Sequence, residues 1–133
     1  MKEFLSNLQG EMEGKNRLVA LGEFFIEMQK YEEAQDHYEH LIDGDLLKAP
    51  IHWAQCHLGL AKILHLKGNY NLAEENLEKA LNYLLEDERR SEDPLISECY
   101  NELGSIYKEI ENYPLAFEFY EKALRMKNNC AST

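Results

Sequence analysis

"ENYPLAFEFYEKAL", residues 111–124, respells what the chain writes twice before, as "GNYNLAEENLEKAL" at 68–81 and "QKYEEAQDHYEHLI" at 29–42. Aligned on their tyrosines, the copies sit at Tyr31, Tyr70 and Tyr113, in steps of 39 and 43 residues. Three residues past each tyrosine is an alanine (Ala34, Ala73, Ala116), and four further on a large side chain (Tyr38, Leu77, Tyr120). Leu41, Ala80 and Ala123 follow three later. Such offsets stack residues on one face of an α-helix. Upstream, the pairs Leu21-Gly22, Leu60-Ala61 and Leu103-Gly104 recur in the same register. Leu18, His57 and Tyr100 precede those pairs by three, and Phe25, Leu64 and Tyr107 follow by three. Each copy thus encodes two helices separated by a short break.

The breaks carry turn chemistry. Gly68-Asn69 suits a left-handed helix C-cap. Pro114 fits the first turn of a new helix, and Asp93-Pro94 reads as an N-cap followed by a first-turn proline. Pro50 reads likewise, with Asp45 or Lys48 as the upstream cap. The pattern predicts helices over 15–28, 31–46, 50–67, 70–88, 94–110 and 113–127, no strand, and a short leading helix (2–12) or tail in residues 1–14. Gly22, Ala61 and Gly104 fall where the first helix of each pair must approach the second, opposite Ala34, Ala73 and Ala116. Small residues at such a crossing let the helix axes come close.

Composition excludes several functions. Hydrophobic residues at 44% and charged ones at 29% describe an ordinary globular chain. Lys plus Arg number 14 against 25 Asp plus Glu, a net charge of −11 that repels phosphate backbones and argues against nucleic acid. No apolar run reaches the ~20 residues of a membrane span, and no signal-peptide pattern opens the chain. Cys56, Cys99 and Cys130, odd in number and widely spaced, form no disulfide framework, so the reading is a cytoplasmic protein. His37, His40, His52, His57 and His65 lie close in sequence, and His37/His40 and His52/Cys56 have the spacing of paired zinc ligands. Yet His57 fills the slot of Leu18 and Tyr100, and Cys56 and Cys99 are one repeat apart, so packing explains them better and no metal is expected. No phosphate loop or catalytic motif is present, so neither enzymatic activity nor a cofactor is expected. Glu74 and Glu75 read as solvated acids pairing with Lys79, and 86–93, "EDERRSED", as a charged connection.

These residues resemble the tetratricopeptide repeat, whose pattern is W-x2-L-G-x2-Y…A-x3-F…P. The third copy reads Tyr100-x2-Leu103-Gly104-x2-Tyr107…Ala116-x3-Tyr120, the first Leu18-x2-Leu21-Gly22-x2-Phe25…Ala34-x3-Tyr38, and the second His57-x2-Leu60-Ala61-x2-Leu64…Ala73-x3-Leu77. The steps exceed the family's 34 residues, and Leu46, Leu85 and Asn128 stand where its closing proline would be. Both features are similar to the long repeats of kinesin light chains. The resemblance implies an all-α, right-handed superhelix, or α-solenoid, of three hairpins over 15–48, 49–91 and 92–128, with 129–133 a disordered tail. Arrays of this kind need polar ends. Helix 113–127 has no capping helix after it, which leaves a fragment of a longer array or a homodimer through that edge as alternatives.

The resemblance also makes the face of each first helix opposite its Leu-Gly stripe a candidate peptide groove. At 100° per residue that face holds Asn16, Val19, Ala20, Glu23, Ile26 and Glu27 in the first repeat. Gln55, Leu58, Gly59, Lys62, His65 and Leu66 hold it in the second, and Glu98, Asn101, Glu102, Ser105, Lys108 and Glu109 in the third. Family members that clamp a chaperone's C-terminal carboxylate use Lys, Arg and Asn; Val19, Glu23, Gly59, Glu98 and Glu102 stand at the matching places and would repel it. The face suits a protein or peptide with apolar and basic residues, whose backbone Asn16, Gln55 and Asn101 can bond. The function expected is a protein-interaction scaffold. A self-associating structural unit and a regulatory segment of a larger enzyme are the alternatives.

Overall fold

The computed structural model describes residues 17–44, 47, 49–86 and 93–131, with side chains as far as residue 126. The described residues form six helices: α1 (Arg17–Glu27), α2 (Tyr31–Asp43), α3 (Pro50–Leu66), α4 (Tyr70–Leu85), α5 (Pro94–Glu109) and α6 (Tyr113–Ala131). No strand occurs among the described residues. The helices pack as hairpins α1/α2, α3/α4 and α5/α6, and each hairpin contacts the next. The expected leading helix or tail, Asn16, and most of the 86–93 connection lie outside the described residues. α6 runs past its expected end at 127 to Ala131, so 129–131 of the expected tail are helical; neither glycine nor proline interrupts that stretch.

Each hairpin turns by the same device. Gln29, Gly68 and Glu111 hold left-handed backbone, with φ of 60°, 83° and 64°, one per repeat at equivalent positions. The following amides reach back five residues, Lys30 to Phe25, Asn69 to Leu64 and Asn112 to Tyr107, at 2.8–2.9 Å. This is the Schellman arrangement, which satisfies the last carbonyls of the first helix. Only the second copy uses glycine there. At the other helix starts, Asp93 caps α5 by accepting from the Leu95 amide at 2.9 Å, as expected. For α3 the cap position belongs to Ala49, which offers no side-chain bond, and not to Asp45 or Lys48.

Close approach is set by two glycines and one ring. A β-carbon on Gly22 would lie 2.4 Å from the Tyr38 ring, and one on Gly59 would lie 2.5 Å from its other side. Tyr38 is therefore clasped between α1 of its own hairpin and α3 of the next, with 0% of its surface exposed. Gly104 receives Tyr120 similarly, at 2.9 Å.

Two apolar cores result, and α3 belongs to both. Cys56, Leu60 and Ile63 join Val19, Ala34, Tyr38 and Leu41 in one. Ala54, Leu58, Ala61 and Leu64 join Leu77, Leu84, Ile96, Cys99 and Ile106 in the other. A helix flanked on both sides has to be apolar nearly all round, and α3 is. Burial pushes the Cys56 and Cys99 thiols up to about 12, so both stay protonated packing groups. Polar ties join consecutive hairpins: Lys67 Nζ reaches Gln35 Oε1 at 2.6 Å and Glu32 at 2.5 Å. Glu74, expected to be a solvated partner of Lys79, instead accepts from Tyr107 Oη at 2.8 Å. Burial, then that carboxylate, pushes the Tyr107 phenol up to about 12, which keeps it a donor.

Candidate functional site

The inner helices α1, α3 and α5 frame a cleft of about 290 Å³. α1 supplies Glu23 and Ile26; α3 supplies Ile51, Gln55, Leu58, Gly59 and Lys62; the start of α5 supplies Asp93, Pro94, Leu95 and Glu98. Tyr38 of α2 reaches the floor through the gap left by the two glycines. Apolar side chains (Ile26, Ile51, Leu58, Pro94 and Leu95) share the lining with an acidic balance of charge, Glu23, Asp93 and Glu98 against Lys62. Lys62 and Glu98 face each other across the cleft at 3.9 Å, and with side chains 40% and 53% exposed that pair contributes little.

Of the expected groove residues, seven line this cleft: Glu23, Ile26, Gln55, Leu58, Gly59, Lys62 and Glu98. One turn further along, His65 Nδ1 faces Glu102 Oε2 at 3.4 Å, joining α3 to α5 beyond the cleft. Ser105 Oγ bonds Tyr120 Oη at 3.1 Å, and Asn101 is half-buried. Glu27, Leu66 and Lys108 are exposed. Val19 does not belong to an exposed face: at 1% exposure it is a core residue of the first hairpin. Leu58, 3% exposed, is likewise a core residue and shows the cleft only an edge.

Tyr38, Ile51, Asp93, Pro94 and Leu95 were not expected in the site. Ile51 and Leu95 sit in the first turns of α3 and α5. The signal for Tyr38 was Gly59, a glycine where the first copy has Ala20 and the third Glu102.

The histidines serve packing. His37 Nε2 lies 2.5 Å from the Leu18 carbonyl, to which it donates. His57 stacks on Tyr83 and donates from Nδ1 to Asn76 Oδ1 at 2.9 Å. Burial holds the His57 imidazole below its usual range, so it is neutral at pH 7. No group of three metal-ligating side chains comes together among the described residues. No helix among them is long and apolar enough to cross a membrane.

Stacked helical hairpins of this length, small at their crossings and open along one inner face, define the helical-repeat interaction proteins. A tetratricopeptide-repeat family model matches residues 53–129, more than half of the chain, and a second matches 18–49, so the chain belongs to the tetratricopeptide-repeat family. Among solved structures it is similar to the TPR domain of Arabidopsis FLU. The identity is 23% and the TM-score 0.72, over 92% of this chain and 98% of that one, which establishes shared fold. No curated protein matches the sequence.

Proposed function

We propose that the chain is a protein-interaction module whose inner cleft binds a peptide segment bearing apolar and basic residues. One observation carries the reading: a cleft between the inner helices whose lining sets apolar side chains beside three carboxylates and one ammonium. Apolar anchors supply affinity in such a site, while the rim charge steers encounter and selects the partner's sign.

The probe that tests it is a capped octapeptide of alanine carrying two leucines and three lysines. Glu23→Lys with Glu98→Lys turns the rim's formal charge from −2 to +2. Affinity should fall about tenfold or more at low salt and recover partly as salt screens the repulsion. The control Glu75→Lys with Glu118→Lys makes the same change in net charge on exposed positions of α4 and α6, and should leave affinity in place. Equal affinities for wild type and the rim variant would sink the reading.

A second reading, self-association, is favoured by α6. Tyr113, Phe117 and Leu124 are 61%, 68% and 59% exposed there. At the position of Phe117, α2 and α4 carry Gln35 and Glu74, which the next hairpin engages through Lys67 and Tyr107. A second copy laid on this edge would cover all three apolar side chains. Sedimentation equilibrium should then show a dimer that Phe117→Lys dissociates; a wild type monomeric at 100 µM, about as high as such dimers are sought, would remove this reading.

A further inference from the structure

Lys67 closes the junction between the first and second hairpins. It follows the end of α3, and its side chain is only 28% exposed. Its ammonium lies 2.6 Å from Gln35 Oε1 and 2.5 Å from Glu32 Oε1. One carboxylate and one amide, three residues apart near the start of α2, thus hold one internal cation. The next junction keeps that pair and lacks the cation. In the repeat register Glu32 becomes Asn71, Gln35 becomes Glu74 and Lys67 becomes Ile110. Carboxylate and amide exchange places, and an isoleucine follows α5 where a lysine follows α3. A second cleft, of about 410 Å³, opens there between Asn71, Leu72 and Glu74 of α4 and Ile106 and Ile110 at the end of α5. None of the described residues lining it is basic. It shares no residue with the inner cleft and lies at the other end of α5.

We propose that this second cleft takes a lysine side chain presented by a partner protein, with its ammonium at Glu74 and Asn71 and its aliphatic stem along Leu72 and Ile110. Those two apolar side chains are 49% and 48% exposed. A lysine stem covers such surface while its head stays with polar partners. An apolar side chain would cover it too, but would desolvate the half-buried Glu74 carboxylate without a countercharge. Tyr107 donates to Oε1 of that carboxylate at 2.8 Å, and a hydroxyl brings no positive charge. The three N–H groups of an ammonium suit a carboxylate beside an amide oxygen, as Lys67 shows one junction earlier. A net charge of −11 favours the approach of a basic surface.

The probe is capped Leu-Lys-Leu, with capped Leu-norleucine-Leu as its uncharged match, each titrated into the full chain and followed by amide NMR shifts. Leu-Lys-Leu should move the amides of Gly68, Asn69, Asn71 and Ile110 in one saturating titration. The norleucine peptide should bind there about threefold or more weakly. Glu74→Gln leaves an oxygen for Tyr107 and removes only the charge, so it should weaken the lysine peptide about three- to tenfold. Ile110→Lys writes the first junction's lysine into the second. It should hold or raise the melting temperature and abolish the shifts at Gly68 and Asn69. Ile110→Met, which keeps an apolar wall, should retain them. Shifts at Gln55 and Glu98 report the inner cleft separately, so failure at one site is told apart from failure at the other. Equal affinity for the two peptides overturns recognition of the ammonium. The proposal also falls if the four amides never move, if Ile110→Lys binds as the wild type does, or if Ile110→Met loses binding as fully as Ile110→Lys.

Discussion

Gly59→Ala should destabilise the protein by about 2 kcal/mol, although alanine is the better helix former. A glycine-to-alanine change inside a helix gains up to about 1 kcal/mol. Here the new methyl would stand 2.5 Å from the Tyr38 ring, where ordinary carbon contacts are ~3.5–4.0 Å. The ring cannot retreat, because Gly22 holds its opposite side as closely. Overpacking of this kind costs about 1–3 kcal/mol, and a side chain pinned from both sides belongs at the upper end. For a chain of this length a net 2 kcal/mol lowers the melting temperature by roughly 7 °C. The chain itself shows the remedy. Its second copy places Leu77 where the first has Tyr38 and Ala61 where the first has Gly22, and the helix that follows Leu77 carries Glu102 where the one that follows Tyr38 carries Gly59. Tyr38→Leu should therefore suppress the cost of Gly59→Ala, giving a coupling of about 2 kcal/mol in a double-mutant cycle. Additive effects in urea unfolding would show that ring and glycines are not the interlocking unit described.

That interlock marks where the sequence was legible. Helix order, pairing and turns follow from spacings within one copy, because hairpin packing is local and its offsets repeat. Facing surfaces are harder. A helical wheel assumes one buried side, whereas α3 has neighbours on two, so Leu58 fell on its apparent outer face yet lies in the second core. Val19 failed for the same reason, since the hairpin's own core extends round to it. Tyr38 read as packing alone because its hydroxyl reaches the cleft only through a gap made jointly by Gly22 and Gly59, residues of different copies. The acidic rim was partly visible in Glu23 and Glu98; Asp93 was assigned to its cap and nothing more. Glu74 was misread because its partner, Tyr107, comes from the following hairpin.

The second large effect is expected at that junction between hairpins. Ile106 is fully buried on α5 in the core shared with α3 and α4, as Ile63, its counterpart one copy earlier, is buried in the first. Truncation to alanine should cost about 3 kcal/mol from lost transfer energy and the cavity left behind. In a stacked array that loss falls on the interface it breaks, because each hairpin is stabilised chiefly by its neighbours. The third hairpin meets its neighbours through α5 and carries exposed apolar residues on its other side, so it should open before the rest. Hydrogen exchange in Ile106→Ala should show protection in α5 and α6 falling about 100-fold, with α1 and α2 unchanged. Binding should weaken too, although no cleft atom has been altered. Asp93, Pro94, Leu95 and Glu98 are the first turns of α5 and form one wall of the cleft, so a third hairpin that opens takes that wall with it. If protection instead falls equally in all six helices, the chain unfolds as a single cooperative unit, and the cleft depends on global stability and not on this junction.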